Sequence, residues 1–277
     1  MKKLNCKLIV SDFDGTLANS RNEVPGEVVK AVREYVENGG IFAVCTGRIL
    51  PSILPRVREI GLKGLVIACQ GAVIADIESG KIIKNVGFNE GEAAEICAFL
   101  EELQTNVHLY FTDGFYSDLP AGEEHLKLYE DITKVTACHS DKPLSEVAAG
   151  SVGACFNKVA TLCHPERQAE LYEKIKRKFG GRFDVTCSAK VLIEVSPLGE
   201  TKGAAVKFLS EHYGVPIEKC CAVGDNLNDL SMIEAAGVGV AVGNAVQELK
   251  AQADFVTVTN NEGAIARVIE KFGYEEY

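Results

Sequence analysis

The chain has 277 residues, of which 47% are hydrophobic and 25% are charged, as is usual for a globular protein with one large domain or two modest ones. Its formal net charge is −10, so nucleic acid is not expected as a partner, although a locally positive pocket can still bind a small anion. No window reaches the roughly 18 uninterrupted apolar residues of a membrane helix, and Lys7 and Asp12 interrupt any signal-peptide core. We therefore expect a cytoplasmic protein that binds no membrane, as a monomer or a homodimer.

The ten cysteines are scattered along the chain, without a C-x-x-C pair or the Cys/His spacing of a zinc site. Most of them, such as Cys45 and Cys69, lie within apolar runs, where cysteine behaves as a small hydrophobic residue. We interpret them as reduced thiols of the core.

Short apolar strands alternate with amphipathic helices in the first 85 residues. The predicted elements are strands at 8–10, 41–45 and 65–68, helices at 25–36 and 51–61, and a hairpin at 72–86. Buried apolar strands separated by helices are typical of a parallel sheet that is covered on both faces.

The strict alternation stops near residue 86 and returns near residue 200. The middle part mixes helices at 90–103 and 165–180 with strands at 107–111, 155–163 and 191–195. The last part has helices at 202–213, 227–236 and 262–272 and strands at 220–223, 238–242 and 254–258. We predict an α/β fold, a doubly wound parallel sheet of the Rossmann type built by residues 1–85 and 191–277, with an inserted α+β domain at 86–190.

Polar residues follow several of the predicted core strands, and parallel sheets place their ligands at the carboxyl ends of their strands. The motif 12-DFDGT-16 follows the first strand, 46-TGR-48 the second, and 224-GDNLND-229 the strand near residue 220. Lys202 begins the helix after the insertion. We expect these residues to converge at one edge of the sheet.

The converging carboxylates of Asp12, Asp14, Asp225 and Asp229 would repel one another unless a cation lay among them. A few oxygen ligands, with room for water and a phosphate oxygen, suit Mg²⁺. Thr46 and Lys202 offer a hydroxyl and a positive charge to phosphoryl oxygens. This set of groups indicates phosphoryl transfer.

The two acids of the opening motif have different expected roles. Asp12, predicted as the last residue of its strand, is placed for in-line attack on phosphorus and formation of an aspartyl-phosphate. Asp14 can protonate the leaving oxygen and later deprotonate the hydrolytic water. Gly15 allows the backbone to turn tightly beside the substrate.

These four motifs, in this order, resemble the haloacid dehalogenase (HAD) superfamily, and within it the Cof-type phosphatases, whose type IIB cap domain is inserted between the second and third motifs. The resemblance spans nearly the whole chain. It implies a HAD-like core formed by residues 1–85 and 191–277 and a cap that determines substrate specificity at 86–190. It also implies a hydrolase that acts on a small phosphorylated metabolite, such as a sugar phosphate or a cofactor phosphate, with Mg²⁺ as cofactor.

The resemblance implies a role for each matching residue. Asp12 corresponds to the nucleophile and a metal ligand, and Asp14 to the acid/base, which binds the metal through its backbone carbonyl. Asp225 corresponds to the acidic metal ligand, and Asp229 supports the metal. Thr46 and Lys202 correspond to the phosphate-holding residues, and Asn228 to a position near the phosphate or the metal. Gly47 and Arg48, in the same motif as Thr46, are further candidates for phosphate binding. Related dehalogenases lack an acid at the position of Asp14, so its presence favours phosphate esters.

Some positions remain open from the sequence. Gln70 stands where family members often have Asn, and Glu200 stands where small or hydrophobic residues are more usual. Arg48 can meet a substrate phosphate or pair with an acid at the sheet edge. His108 is interpreted as an ordinary packed or surface residue. The alternatives to a phosphatase are a phosphomutase and a non-catalytic sensor of a phosphorylated ligand.

Overall fold

The computed structural model describes residues 3–189 and 191–275 and contains two β-sheets. Residue 190, where the predicted insertion ends, lies outside the described residues. One sheet has eight strands, in the order β13-β12-β11-β1-β2-β3-β4-β5, and the other has five, in the order β7-β6-β8-β10-β9.

The eight-stranded sheet is formed by both ends of the chain. Its strands are β1 (Leu8–Ser11), β2 (Ile41–Cys45), β3 (Leu65–Ala68), β4 (Val73–Asp76), β5 (Ile82–Asn85), β11 (Cys220–Gly224), β12 (Val238–Ala241) and β13 (Phe255–Val256). Strand β1 lies between β2 and β11 and pairs in parallel with both. All residues of β1, β3 and β11 are buried, because helices cover both faces of a parallel sheet. The predicted α/β class is therefore confirmed.

The edge of this sheet differs from a purely parallel arrangement. Strand β4 pairs antiparallel with β3, and β5 pairs antiparallel with β4. The turn between β4 and β5 lies at the predicted position, where the side chain and the backbone N–H of Ser79 both donate to Asp76. Hairpin strands can pair antiparallel through a short turn, whereas parallel strands need a crossover.

The helices of the eight-stranded sheet follow the predicted order. They are α1 (Gly26–Glu37), α2 (Leu50–Glu59), α7 (Lys202–Tyr213), α8 (Leu230–Ala235), α9 (Gln247–Gln252) and α10 (Ala264–Val268). Helix α1 begins after Pro25 and buries Val28, Val32 and Tyr35, one stripe of an amphipathic helix. None of the helices among the described residues is long and apolar enough to cross a bilayer.

The five-stranded sheet is antiparallel throughout. Its strands are β6 (His108–Phe111), β7 (Gly114–Ser117), β8 (Phe156–Leu162), β9 (Phe183–Ala189) and β10 (Leu192–Pro197). The helices beside it are α3 (Glu90–Glu102), α4 (Glu124–Thr133), α5 (Leu144–Gly150) and α6 (Pro165–Phe179). Side chains of α3 and α6, such as Ile96 and Ile175, pack with Val159 and Val195 in a separate apolar cluster.

Strand β10 corresponds to the strand predicted at 191–195 among the elements of the middle part. It pairs with β8 and β9 of the five-stranded sheet, although the predicted core segment begins at residue 191. Glu194 and Ser196 lie on one face of β10, and Ile193 and Val195 lie on the other, in the apolar cluster, so the strand suits a sheet with two different faces. The chain therefore returns to the eight-stranded sheet after Pro197, at the start of α7.

Candidate active site

The carboxyl ends of three adjacent strands bring the predicted motifs together. Strand β1 ends at Ser11, so Asp12 is the first residue after the strand rather than its last residue. Its backbone N–H donates to the carbonyl of Val223 at 2.9 Å, which fixes the turn against the neighbouring strand β11. Thr46 follows β2, and Asp225 follows β11. The common polarity of the parallel strands places all three residues at one edge of the sheet.

Lys202 joins two of the carboxylates. Its Nζ lies 2.6 Å from Oδ1 of Asp12 and 2.5 Å from Oδ1 of Asp229, and all three side chains are buried. Thr201 caps α7 by accepting from the N–H of Ala204 at 3.1 Å, so Lys202 stands in the first turn of that helix. Buried charges are costly unless they are paired, and this ion pair also fixes the Asp12 carboxylate.

Carboxylate oxygens of Asp12, Asp225 and Asp229 all lie within 4.8 Å of one another. This donor set fits a hard divalent cation such as Mg²⁺, which prefers carboxylate oxygens and retains some of its waters. Of the three, Asp12 and Asp225 have the oxygen positions best placed to hold the ion. Asp229 is already engaged: one oxygen accepts from Lys202, and the other accepts from the backbone N–H groups of Asp225 and Asn226 at 2.8 and 3.0 Å.

The electrostatics of the cluster favour a bound cation. Burial raises the pKa of Asp12 well above its ordinary value, and the nearby acids add to this effect while Lys202 opposes it. Burial and the charge of Asp229 raise the pKa of Asp225 to about 6. Burial alone would lower the pKa of Lys202, but Asp12 and Asp229 outweigh it, so the pKa is raised and the lysine stays charged. The carboxylates therefore carry repulsion that one lysine does not offset.

Gly15 lies against the carboxylate of Asp225, at a position that has no room for a side chain. It has a φ of +73°, and a Cβ placed on it would lie 2.6 Å from Oδ2 of Asp225. The hydroxyl of Thr16, the next residue, donates to Oδ1 of Asp225 at 3.0 Å. The predicted tight turn at Gly15 is thus present, and Thr16 is a further residue that contacts the carboxylate cluster, which the motif alone did not indicate.

Asp14 lies apart from the three-carboxylate cluster. Its two oxygens accept from Nε and Nη2 of Arg48 at 2.7 and 2.6 Å, a bidentate ion pair. Arg48 is buried and also donates to the carbonyl of Ile132 at 3.2 Å, whereas the side chain of Asp14 is half exposed. Of the two alternatives for Arg48, the structure shows the pairing with an acid.

A cavity of about 270 Å³ opens over these groups. The residues on the side of the eight-stranded sheet are Asp12, Asp14, Thr46, Gly47, Arg48, Asp225, Asn226 and Asn228. The residues on its other side, from α4 and the five-stranded sheet or the turn before β10, are Tyr129, Ile132, Thr133, Lys158, Leu162, Val191, Leu192 and Glu194. A ligand in the cavity would therefore touch both sheets.

The sequence motifs did not indicate two buried residues beside this cavity, Lys158 and Glu194. The ammonium of Lys158 forms a buried ion pair with Glu194, and Gln70 donates to the other oxygen of Glu194 at 2.8 Å. Gln70 in turn accepts from Nδ2 of Asn228 at 3.2 Å. Gln70 therefore makes two polar side-chain contacts from the position at which it departs from the family pattern. The second unusual residue, Glu200, pairs with Lys84 away from the carboxylate cluster.

The family model described as haloacid dehalogenase-like hydrolase matches residues 9–269 of this chain. The chain belongs to the haloacid dehalogenase-like hydrolases. Phosphatase YwpJ of Bacillus subtilis is 32% identical over 283 residues, a match that covers 95% of this chain and 99% of the relative. The predicted enzyme class, a phosphatase of this superfamily, is confirmed.

Solved structures of haloacid dehalogenase-like hydrolases have a similar fold. A haloacid dehalogenase-like hydrolase from B. subtilis superimposes with a TM-score of 0.87 at 28% identity, covering 96% of this chain and 99% of that one. The HAD subclass IIB sugar phosphatase BT4131 superimposes with a TM-score of 0.82 at 23% identity, covering 96% of this chain and 98% of that one. This haloacid dehalogenase-like hydrolase therefore has the fold of the subclass that its motifs indicated.

Proposed function

We propose that this phosphatase hydrolyses the monoester of a small phosphorylated metabolite with Mg²⁺, through an aspartyl-phosphate on Asp12. The observation that carries the proposal is the Lys202 ammonium held between Asp12 and Asp229, with Asp225 in the same carboxylate cluster at the base of one cavity. Such a cluster fixes a carboxylate oxygen and leaves a place for both a cation and a phosphoryl group.

The cation would be held mainly by Asp12 and Asp225, and it would supply positive charge to the phosphoryl oxygens. Asp229 keeps the loop of Asp225 and Asn226 in place through two backbone hydrogen bonds, so its part is to orient the ligands. The predicted contribution of Asp14 to the metal is its backbone carbonyl, since its carboxylate is bound by Arg48.

In the first step an oxygen of Asp12 attacks phosphorus, and the bond from phosphorus to the ester oxygen breaks. Asp14 gives a proton to the leaving alcohol, as its half-exposed position beside the cavity allows. In the second step Asp14 takes a proton from a water that attacks the phosphorus, and the bond to Asp12 breaks. Inorganic phosphate leaves, and both aspartates return to their starting state.

Thr46 and Lys202 would hold the phosphoryl oxygens, with Gly47, Arg48 and Asn228 around them. Two hydrogen bonds fix the backbone of this loop. The N–H of Thr46 donates to the carbonyl of Ile67 at 3.0 Å, and the carbonyl of Thr46 accepts from the N–H of Gln70 at 3.0 Å. A rigid loop holds a ligand oxygen without further ordering cost when the phosphate binds.

We also propose that the two sheets belong to two domains, a core and an inserted cap. The support is that the five-stranded sheet and its helices have an apolar cluster of their own and that the chain passes between the two sheets near residues 86 and 198. The alcohol part of the substrate would contact Tyr129, Ile132, Leu162 and Leu192, on the cap side of the cavity. The volume of about 270 Å³ suits a metabolite, such as a sugar phosphate or a cofactor phosphate, rather than a macromolecule.

The test is a panel of phosphorylated metabolites assayed with Mg²⁺ for released phosphate and for isomerised product. Phosphate release supports the proposal, whereas isomerised product without phosphate release indicates a mutase. Binding of the panel without turnover indicates a sensor.

The intermediate can be tested with Asp14→Ala and acetyl phosphate, whose good leaving group needs no acid catalyst. We expect a protein heavier by one phosphoryl group, and no such species in the Asp12→Asn, Asp14→Ala double variant. An adduct that persists in the double variant would contradict the assignment of Asp12.

A further inference from the structure

We propose that Lys158 and Glu194 act as a positioning pair that holds the phosphate-binding loop in place from the five-stranded sheet. The inference rests on the proposed function, because it assigns the Thr46 to Arg48 loop to phosphate binding. Neither residue of the pair belongs to the four sequence motifs, and both come from the five-stranded sheet.

The pair lies on the face of the sheet that meets the active site. Glu194 of β10 is opposite Ala160 of β8, so the alternation of side chains places Lys158 on the same face as Glu194. Both side chains are almost completely buried, at 2% and 1% exposure. Burial of the two charges costs several kcal/mol of desolvation free energy per ion, so the pair needs hydrogen bonds to neighbouring groups, such as those of the active-site loops, to offset it.

The ammonium of Lys158 has three contacts with the protein. One N–H is engaged by Glu194, a second donates to the carbonyl of Gly47 at 2.9 Å, and the ammonium lies 4.4 Å from the centre of the Tyr110 ring. Two of its three N–H donors are therefore used by Glu194 and Gly47. These contacts place Lys158 to hold the loop, and its side chain also lines the cavity.

Glu194 reaches a second loop through Gln70. Gln70 donates to Glu194 at 2.8 Å and accepts from Asn228 at 3.2 Å, and its backbone N–H donates to the carbonyl of Thr46 at 3.0 Å. The pair thus contacts, directly or through one side chain, both the loop after β2 and the loop that carries Asp225 and Asp229.

Gly47 shows how closely the pair fits the loop. A Cβ placed on Gly47 would lie 2.5 Å from Nε2 of Gln70 and 3.6 Å from Oε2 of Glu194. Because this loop would hold the phosphoryl group, a small displacement of it costs much of the rate: about 1 Å of misplacement can cost about 100-fold.

The positioning role can be tested by comparing the Lys158→Met, Glu194→Gln double variant with the wild type. The double variant removes both charges, so it leaves no uncompensated buried ion. The matched control is Lys84→Met, which breaks the partly buried Lys84–Glu200 pair without touching Gly47, Gln70 or Asn228. The measurements are calorimetric binding of orthovanadate with Mg²⁺, kcat/KM for three unrelated phosphate esters, and the unfolding temperature.

We expect the double variant to bind orthovanadate about tenfold or more weakly and to lose kcat/KM by a similar factor for all three esters. Lys84→Met should leave orthovanadate affinity unchanged. Orthovanadate affinity within about twofold of the wild type would overturn the inference, as would a loss of kcat/KM confined to one ester, which would place Lys158 or Glu194 on the substrate.

The two proposals fail separately. Wild-type protein that binds orthovanadate but hydrolyses no ester would contradict the proposed function, and the orthovanadate affinity of the double variant would still decide the positioning role. Wild-type protein that does not bind orthovanadate would overturn both.

Discussion

The guanidinium of Arg48 holds both oxygens of the Asp14 carboxylate, at 2.7 and 2.6 Å, and its remaining donors contact Ser52, Asn22 and the carbonyl of Ile132. A buried cation thereby determines the direction of a half-exposed acid. Since Ile132 belongs to α4 on the other side of the cavity, the same arginine also joins the two halves of the site.

Substitution of Arg48 should therefore affect catalysis through Asp14. Arg48→Gln cannot form the two parallel hydrogen bonds, and we expect kcat to fall by about 10- to 100-fold, less than the roughly 10²- to 10⁴-fold contribution of a general acid–base, because Asp14 itself remains. Arg48→Lys keeps the positive charge but cannot form two parallel hydrogen bonds, so we expect its kcat to lie between those of Arg48→Gln and the wild type. Steady-state kinetics measures both variants, and a kcat for Arg48→Gln equal to that of the wild type would contradict the orienting role.

Substitution of the nucleophile should separate activity from folding. In Asp12→Asn the amide cannot attack phosphorus, and we expect phosphate release to fall by about 10³-fold or more. The fold should persist, because the change removes one of several mutually repelling carboxylates and Asp229 still pairs with Lys202. Phosphate release and thermal unfolding followed by circular dichroism measure the two effects. Normal turnover by this variant would refute the assignment.

Removal of Lys202 should, unlike Asp12→Asn, destabilise the folded protein. Lys202→Met leaves Asp12 and Asp229 buried without their cation, and we expect the free energy of unfolding without Mg²⁺ to fall by about 3–5 kcal/mol. The Lys202→Met, Asp229→Asn double variant should recover part of this loss, since it leaves one carboxylate fewer. Urea unfolding gives both values, and a double variant less stable than the single one would argue against charge imbalance.

Magnesium should stabilise the folded protein through the same carboxylates. A ligand that binds only the native state at about 100 times its Kd contributes about 2.7 kcal/mol, so Mg²⁺ should raise the unfolding temperature and EDTA should reverse this. Asp225→Asn should reduce the shift, whereas Asp76→Asn, at the distant β4–β5 turn, should not. Differential scanning calorimetry with and without Mg²⁺ measures the shifts. Equal shifts in the wild type and Asp225→Asn would contradict the assigned site.

His108 gives a prediction for the pH dependence of stability. It is fully buried among Tyr110, Phe115 and Tyr129, and burial, with the nearby charge of Lys158, lowers its pKa from 6.5 to about 3. Between these values the unfolded chain binds a proton that the native protein does not bind. Stability is therefore lost as the pH falls below about 6.5, by about 1.4 kcal/mol per pH unit from this group.

The comparison with His108→Phe isolates this contribution from that of the carboxylates. Phenylalanine can stack in the same place and does not titrate. We expect the free energy of unfolding, measured by urea at pH 7 and pH 5, to fall less for the variant than for the wild type. Identical pH dependence in the two proteins would show that His108 is not held neutral.

The catalytic edge could be predicted from the sequence because it depends on local patterns. Apolar runs indicate the strands, parallel strands share one carboxyl edge, and acids such as Asp12 and Asp225 directly follow those runs. The position of Lys202 was predictable for a similar reason, since it begins the helix that follows the insertion.

The contribution of the five-stranded sheet could not be predicted in the same way. Lys158 lies inside an apolar run and Glu194 lies 36 positions later, and their pairing depends on the register between β8 and β10. A lysine within a strand usually indicates a solvated face, so the sequence carried no signal for a buried ion pair. Gln70 was noted only as a departure from the family, because its contacts come from three distant segments.

The position of β1 at the centre of its sheet affects the order in which the chain can fold during synthesis. Its partner β2 is translated soon afterwards, but its other partner, β11, is translated some two hundred positions later. Until then β1 has an unpaired apolar edge, whereas the intervening segment of 88–195 can already form its own apolar cluster. We expect ribosome-bound chains that end before residue 220 to be cut by protease within residues 8–45 and protected within 108–195. The late segment that completes the catalytic edge would thus also end the period in which the nascent chain is prone to aggregate.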